Sequence, residues 1–251
     1  NQLLAPAEII ASDAAAREMR EVRPLELRML GLMGRLLSLV PLKGAARAGR
    51  WFRNMTSPYD FQGVKPTLPT RTFSGSLTID LDGRVVELIE AGPAHTRGDV
   101  MVFVPDARVL FAGDILFIGS TPVMWAGPLE NWLRALDTIL ELDTGIIVPG
   151  HGPVTDKNGV REAKAYWEFL ERHVYERYRQ GFPPGRAARD IVFGTDFLSL
   201  PFARHDSPER IMTSTHVIYR HLQGRPGPLK PLEMVVILWR PEGLLGKVEE
   251  R

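Results

Sequence analysis

The sequence predicts a mixed α/β domain, and three observations carry that prediction. Two runs of strand pattern flank an Asp82-Gly83 turn, a periodic helix over 128–142 feeds a short apolar strand, and the apolar content is enough for one large core. With 251 residues, 44% hydrophobic and 24% charged, the chain fits one large domain better than a string of small ones.

Residues 8–11 read as a short strand, and Ser12 followed by Asp13 and alanine-rich sequence to Met19 reads as an N-cap and a short helix. Pro24 then opens a segment with Met29, Met33, Leu36 and Val40 near one helical face, widened by Leu30 and Leu37 and ending at Pro41. Residues 44–69 are irregular and proline-rich, which predicts a connecting loop or lid, so that 24–69 as a whole reads as a helical lid or insertion. Thr72, Leu77, Ile79 and Leu81 lead into Asp82-Gly83, and Val85, Val86, Leu88 and Ile89 follow, a hairpin pattern. A second strand pair spans 100–104 and 109–111 through Pro105-Asp106. Leu129, Leu133, Leu136 and Leu140 give the helix over 128–142, and 145–148 is a buried-strand pattern. Helices are expected over 160–179, 186–191 and 208–222, with Pro183, Pro184 and Gly185 interrupting the first two. The tail is rich in Pro and Gly apart from apolar 234–238.

Thirty-one basic and thirty acidic side chains give a net charge of +1, which supplies no global attraction to nucleic acid or an anionic membrane. A small-molecule substrate is the expected partner, the oligomeric state stays open, and the cytoplasm is the default compartment. With no cysteine, disulfides, thiolate nucleophiles and zinc–sulfur sites are excluded, so any metal must be held by His, Asp or Glu. Residues 29–42 are broken by Arg35 and 234–238 are too few to cross a bilayer. Residues 1–5 show neither the basic start nor the apolar run of a secretory signal, and Asn1 in place of Met leads us to expect that the natural chain begins upstream.

Three segments carry candidate chemistry. Gly92-Pro93-Ala94-His95-Thr96-Arg97-Gly98-Asp99 lies between the two strand pairs and places His95 on a loop at strand ends. An imidazole there offers one nitrogen to a metal while an acceptor orients the other, and Thr96 and Asp99 are candidates for that supporting role. Phe111-Ala112-Gly113-Asp114 sets a carboxylate after an apolar strand, where a metal ion would offset the cost of its burial. Val148-Pro149-Gly150-His151-Gly152 surrounds a histidine with small residues directly after a buried strand. Taken singly, each has a bland reading: a hydrogen-bonded loop histidine, a turn-forming Asp, a tight Pro-Gly-His-Gly turn. Their combination at three strand ends is what points to a site.

In this order and spacing the segments resemble the downstream metal-binding motifs of the metallo-β-lactamase superfamily: a His-Thr-x-Gly-Asp loop, Gly-Asp after a strand, and Gly-His near the next strand. The resemblance covers about residues 8–166, in most detail 91–154. It implies an αββα sandwich over 1–180, incomplete at its N-terminus, with a helical extension over 181–251. It also implies His95 as ligand of one metal, Asp114 as bridging ligand, His151 as ligand of a second, and Thr96 and Asp99 as supports. Two zinc ions, or iron, would be the cofactors, and a metal-bound hydroxide would attack an ester, thioester, lactone or related bond. Asp at the bridging position, in place of Cys, lowers the weight of an antibiotic-degrading role.

The superfamily's His-x-His-x-Asp-His motif appears nowhere in the sequence and is expected just upstream of Asn1. Two other readings stand beside the hydrolase: an iron-dependent oxidoreductase of the same fold, since the same ligand set could hold iron, and a non-catalytic binding or regulatory protein if the motif is truly absent. His216 and His221 stand five apart and make a poor helical metal pair, and His173 and His205 read as structural. Leu30, Met33, Leu36 and Leu37 read as core before substrate pocket, and Phe117, Met124 and Trp125 as core or pocket wall. Arg47, Arg50 and Arg53 with Trp51 and Phe52 make too small a basic patch for nucleic acid.

Overall fold

The computed structural model describes residues 1–4, 7–41, 43–60 and 62–227. The apolar run 234–238 and part of the expected extension over 181–251 lie outside the described residues, as do the side chains of Leu30, Arg47 and Trp51.

The chain opens with β1 (Ile10–Ser12) and α1 (Asp13–Glu21), and Ser12 accepts the capping bond from the Ala15 amide at 3.1 Å. α2 (Pro24–Ser38) and α3 (Lys43–Thr56) form a helical hairpin, after which β2 (Arg71–Phe73) returns to pair in parallel with β1. A five-stranded sheet follows in the order β3 (Ser76–Leu81), β4 (Arg84–Glu90), β5 (Val100–Val104), β6 (Val109–Phe117), β7 (Ile146–His151). Its first four strands are antiparallel, and β6 and β7 run parallel because α4 (Leu129–Glu141) makes the crossover between them. The remaining helices are α5 (Lys157–Arg179), α6 (Pro184–Val192), α7 (Thr195–Leu198) and α8 (Arg210–Leu222).

The layering follows from the alternation in β5. Val100, Val102 and Val104 pack with Val86 and Leu88 of β4 and with Ile10 and Phe73 of the small sheet. Met101 and Phe103 point the other way, into the main core with Trp132 of α4 and Trp167 of α5. α1 packs on the small sheet. The order of layers is therefore αββα, as the family resemblance implies. Helices α6 and α8 contribute Ile191, Ile211 and Ile218 to the same core as α5.

The expectation of a loop or lid over 44–69 is corrected in its first half, since Lys43–Thr56 is the helix α3. Its contact with α2 among the described residues combines close approach at small residues with one buried aromatic, which leaves no apolar stripe in the sequence. A Cβ at Gly49 would collide with the Ser38 backbone nitrogen, and one at Gly34 would stand 2.9 Å from that of Arg53. Phe52 is buried there against Met33 and Leu37, while Met29 and Leu36, expected on the same buried face, are exposed. β6 also runs beyond its expected end at Phe111, through Asp114 to Phe117.

Candidate metal centre

Asp114 owes its position to an irregularity in β6. The parallel register with β7 shifts between Phe111 and Gly113 and again between Gly113 and Phe117, and Gly113 adopts a left-handed φ of 55°. Leu110 and Ala112 on one side of Gly113, and Ile115 and Leu116 beyond Asp114, are buried in the core, and the carboxylate of Asp114 is turned out between them, 38% exposed.

His95 is held by its own backbone and by the loop after β6. The Thr96 amide and hydroxyl donate to the Asp99 carboxylate, the hydroxyl at 2.5 Å, and the amides of Ala91 and Gly92 donate to the Asp99 carbonyl. Burial pushes the Asp99 carboxyl above its ordinary range, opposed by the Thr96 hydrogen bonds and the neighbouring His95. The amides of Trp125 and Ala126 donate to the His95 carbonyl. The ring itself is oriented by neither Thr96 nor Asp99: Nδ1 lies 2.7 Å from the Val123 carbonyl. A carbonyl only accepts, so Nδ1 is the donor to Val123, and Nε2 is the ring nitrogen directed at Asp114. Phe117 and the edge of Trp132 flank the ring at 5.8 and 6.0 Å.

His151 is the last residue of β7, paired in register with Phe117, and the two rings stack at 4.5 Å and 14°. The Ile118 amide donates to its carbonyl at 2.9 Å. Phe117 is thus shared packing for both imidazoles, whereas Met124 is core, its amide donating to the Ser214 hydroxyl. Close approach to the carboxylate requires glycine at 150, where a Cβ would collide with Asp114 Oδ1 and stand 2.7 Å from the Gly113 carbonyl carbon. Gly150→Ala is expected to displace the carboxylate and to cost about 1–3 kcal/mol through overpacking. Urea unfolding checks this against Gly145→Ala, where nothing stands within 4 Å of an added Cβ.

His95 Nε2 stands 3.3 Å from Asp114 Oδ2, and His151 Nε2 stands 3.5 Å from Asp114 Oδ1. Both exceed the usual N–H···O range. Two donors bound at about 2.0–2.1 Å to one tetrahedral ion lie roughly 3.4 Å apart, so each spacing fits one edge of a metal's coordination shell. Among the described residues no three His, Asp or Glu side chains converge as a group able to hold one ion. The three donors divide instead into two pairs that share one carboxylate. The donor chemistry therefore fits part of a metal site and does not complete one among the described residues.

The other histidines stand apart from this cluster in their contacts. His221 Nε2 lies 2.7 Å from the Ala126 carbonyl, His216 Nδ1 lies 2.8 Å from that of Met212, and His173 faces Arg177 and Glu176. His205 Nδ1 is buried without a hydrogen-bond partner among the described residues. Burial lowers the pKa of both His173 and His205 below the ordinary imidazole value. The contribution of α8 has no signal in the sequence: Arg210 bonds Ser120 and the Thr121 carbonyl, and Ser214 bonds Met124, bracing the loop that carries Val123.

The family model of the metallo-beta-lactamase superfamily matches residues 29–151, which include all three donors. The chain belongs to the metallo-beta-lactamase superfamily. The alpha subunit of 2,4-dinitroanisole O-demethylase from Nocardioides sp. (strain JS1661) is 27% identical over 165 residues, covering 62% of this chain and 49% of that protein. Hydroxyacylglutathione hydrolase from Synechococcus sp. (strain JA-3-3Ab) is 31% identical over 86 residues, 34% of each chain. The beta-lactamase-like protein 2 homolog of Caenorhabditis elegans is 35% identical over 79 residues, 32% of this chain and 26% of that one. The chain thus spans half or less of the length of these curated relatives. Among solved structures, a metallo-beta-lactamase family protein from Thermus thermophilus superposes with a TM-score of 0.52 at 18% identity, over 87% of this chain and 67% of the other. A double mutant of the sec-alkyl sulfatase PisA1 gives 0.54 at 14% identity, over 87% and 37%. These two likenesses bear on the fold alone. The superfamily to which the chain belongs includes hydrolases.

Proposed function

We propose that this chain is the downstream part of a metal-dependent hydrolase in which Asp114 bridges two metal ions, His95 holding one and His151 the other. The observation that carries this reading is that the two oxygens of Asp114 face two different imidazoles at coordination-edge spacing. A pair of protein donors per ion is fewer than a zinc site uses, so further ligands are needed, and in this reading a His-x-His-x-Asp-His segment upstream of residue 1 supplies them. Zinc is the preferred metal, and iron the alternative. When bound, the metals would supply Lewis acidity and lower the pKa of water at the site.

The chain's own residues do the rest. The Val123 carbonyl holds the Nδ1 proton of His95, so Nε2 stays a donor to metal. Phe117 stacks on His151 and limits its rotation. Asp114, partly exposed between them, leaves an open side from which substrate approaches. The substrate class is an ester, thioester, lactone or related bond, and the demethylase relative adds an aryl methyl ether to the range to be tried.

The test is reconstitution of the complete protein with zinc or with iron, followed by hydrolysis assays on thioester, lactone and aryl ester substrates and on 2,4-dinitroanisole. Zinc-dependent hydrolysis that His151→Ala removes is the expected result. Iron-dependent oxidation without hydrolysis would move the chain to the oxidoreductase reading, and the absence of both metal and turnover would leave it a binding protein.

A further inference from the structure

The α2–α3 hairpin carries a surface that the metal centre does not use. Leu25, Met29, Leu32 and Leu36 of α2, with Leu39 at its C-cap, recur at intervals of four and three and are each between 57% and 81% exposed. This is one continuous helical stripe. It faces away from α3, whose contact is made by Gly34, Met33 and Leu37. Large apolar side chains exposed in a row among the described residues mark a docking surface.

Charge identifies the occupant. Between residues 22 and 59 the sequence has six arginines and one lysine against a single acid, Glu26, so the remaining 24 basic and 29 acidic residues carry the opposite imbalance. The overall charge of +1 hides a hairpin of +6. Arg35, Arg50 and Arg53 are exposed, and Arg35 borders the stripe three residues from Leu32 and four from Leu39. A second copy joined stripe to stripe about a two-fold axis would bring two hairpins of the same sign together, with almost no acid to pair them. An anionic lipid surface takes the leucines into its acyl boundary, pairs its headgroups with Arg35, and is attracted by the positive charge of the hairpin as a whole. No described helix is long and apolar enough to cross a membrane, so the hairpin would lie on the surface.

We propose that the α2–α3 hairpin docks the protein on anionic lipid bilayers, with the Leu25–Leu39 stripe inserted, Arg35 beside it at headgroup level, and the net charge of the hairpin adding longer-range attraction. This departs from the expectation of no membrane partner, which rested on the charge of the whole chain.

The test uses the absence of cysteine. Leu36→Cys carries an environment-sensitive fluorophore, and Val85→Cys, exposed on β4, is the control position. Vesicles of phosphatidylcholine alone are compared with vesicles containing about one third phosphatidylglycerol, and co-sedimentation with the anionic ones is expected to be at least about tenfold greater and to fall with added salt. The label at 36 should shift to the blue with anionic vesicles while that at 85 does not. Leu32→Glu/Leu36→Glu, on exposed positions, should fold normally by circular dichroism and lose the binding. Co-sedimentation unchanged in that variant, or no preference for anionic vesicles, would overturn the proposal. So would a blue shift at 36 without vesicles that tracks dimer formation in sedimentation analysis, which would assign the stripe to a second copy.

Discussion

Asp114→Ala is expected to remove both metals from the complete protein, whereas His95→Ala and His151→Ala each remove one. The asymmetry follows from the geometry: each imidazole faces one carboxylate oxygen, and the carboxylate faces both imidazoles. Loss of a partner that merely orients a ligand typically costs about 10–100-fold in metal affinity, so loss of a direct ligand shared by two ions should cost at least about a hundredfold at each. Metal content after dialysis, measured on all three variants, checks the pattern. Equal loss from all three would argue for a single ion, and retention of both metals by Asp114→Ala would remove the bridging role.

The second large effect is on stability. Trp132 is fully buried in the main core, packs on Trp167 at 4.3 Å between ring centres, and donates its indole N–H to the Ile115 carbonyl at 2.9 Å. Trp132→Ala is expected to cost about 3–5 kcal/mol, the range for aromatic truncation in a core. Trp132→Phe keeps much of the packing but leaves the Ile115 carbonyl without its donor, so about 1–3 kcal/mol is expected. Because Ile115 follows Asp114 and the indole edge flanks His95, both variants should also loosen the metal centre. Urea denaturation followed by circular dichroism gives the two values, and a Trp132→Ala cost below that of the phenylalanine variant would contradict this account of the packing.

The parts of the fold that declare themselves in the sequence are those whose side chains have a strong period or a demanding turn. Asp82 and Gly83 both adopt positive φ, 53° and 88°, as a two-residue hairpin turn between β3 and β4 requires. The α4 helix and β7 fall close to their expected positions because Leu129, Leu136 and Ile147 are all buried. The α3 helix leaves a weak signal, because close approach at Gly34 and Gly49 brings the helix backbones together and Phe52 is the only large apolar side chain buried from α3 among the described residues. The extension of β6 is hidden because a bulge at Gly113 interrupts its alternation.

The candidate site is legible as three segments, and their convergence rests on the family resemblance, since spacing along the chain says nothing about which strand ends meet. Proximity in sequence points to Thr96 and Asp99 as the groups that orient His95. These build the loop, while the Val123 carbonyl, 28 residues away, orients the ring. A backbone acceptor has no residue type to betray it. The charge of the hairpin is equally hidden, because a total of +1 averages over two regions of opposite sign.

Anomalous diffraction from crystals of the complete protein grown with zinc tests the central claim most directly. Two peaks are predicted, one beside His95 Nε2 and Asp114 Oδ2, the other beside His151 Nε2 and Asp114 Oδ1. A single peak, or metal bound away from Asp114, would contradict it.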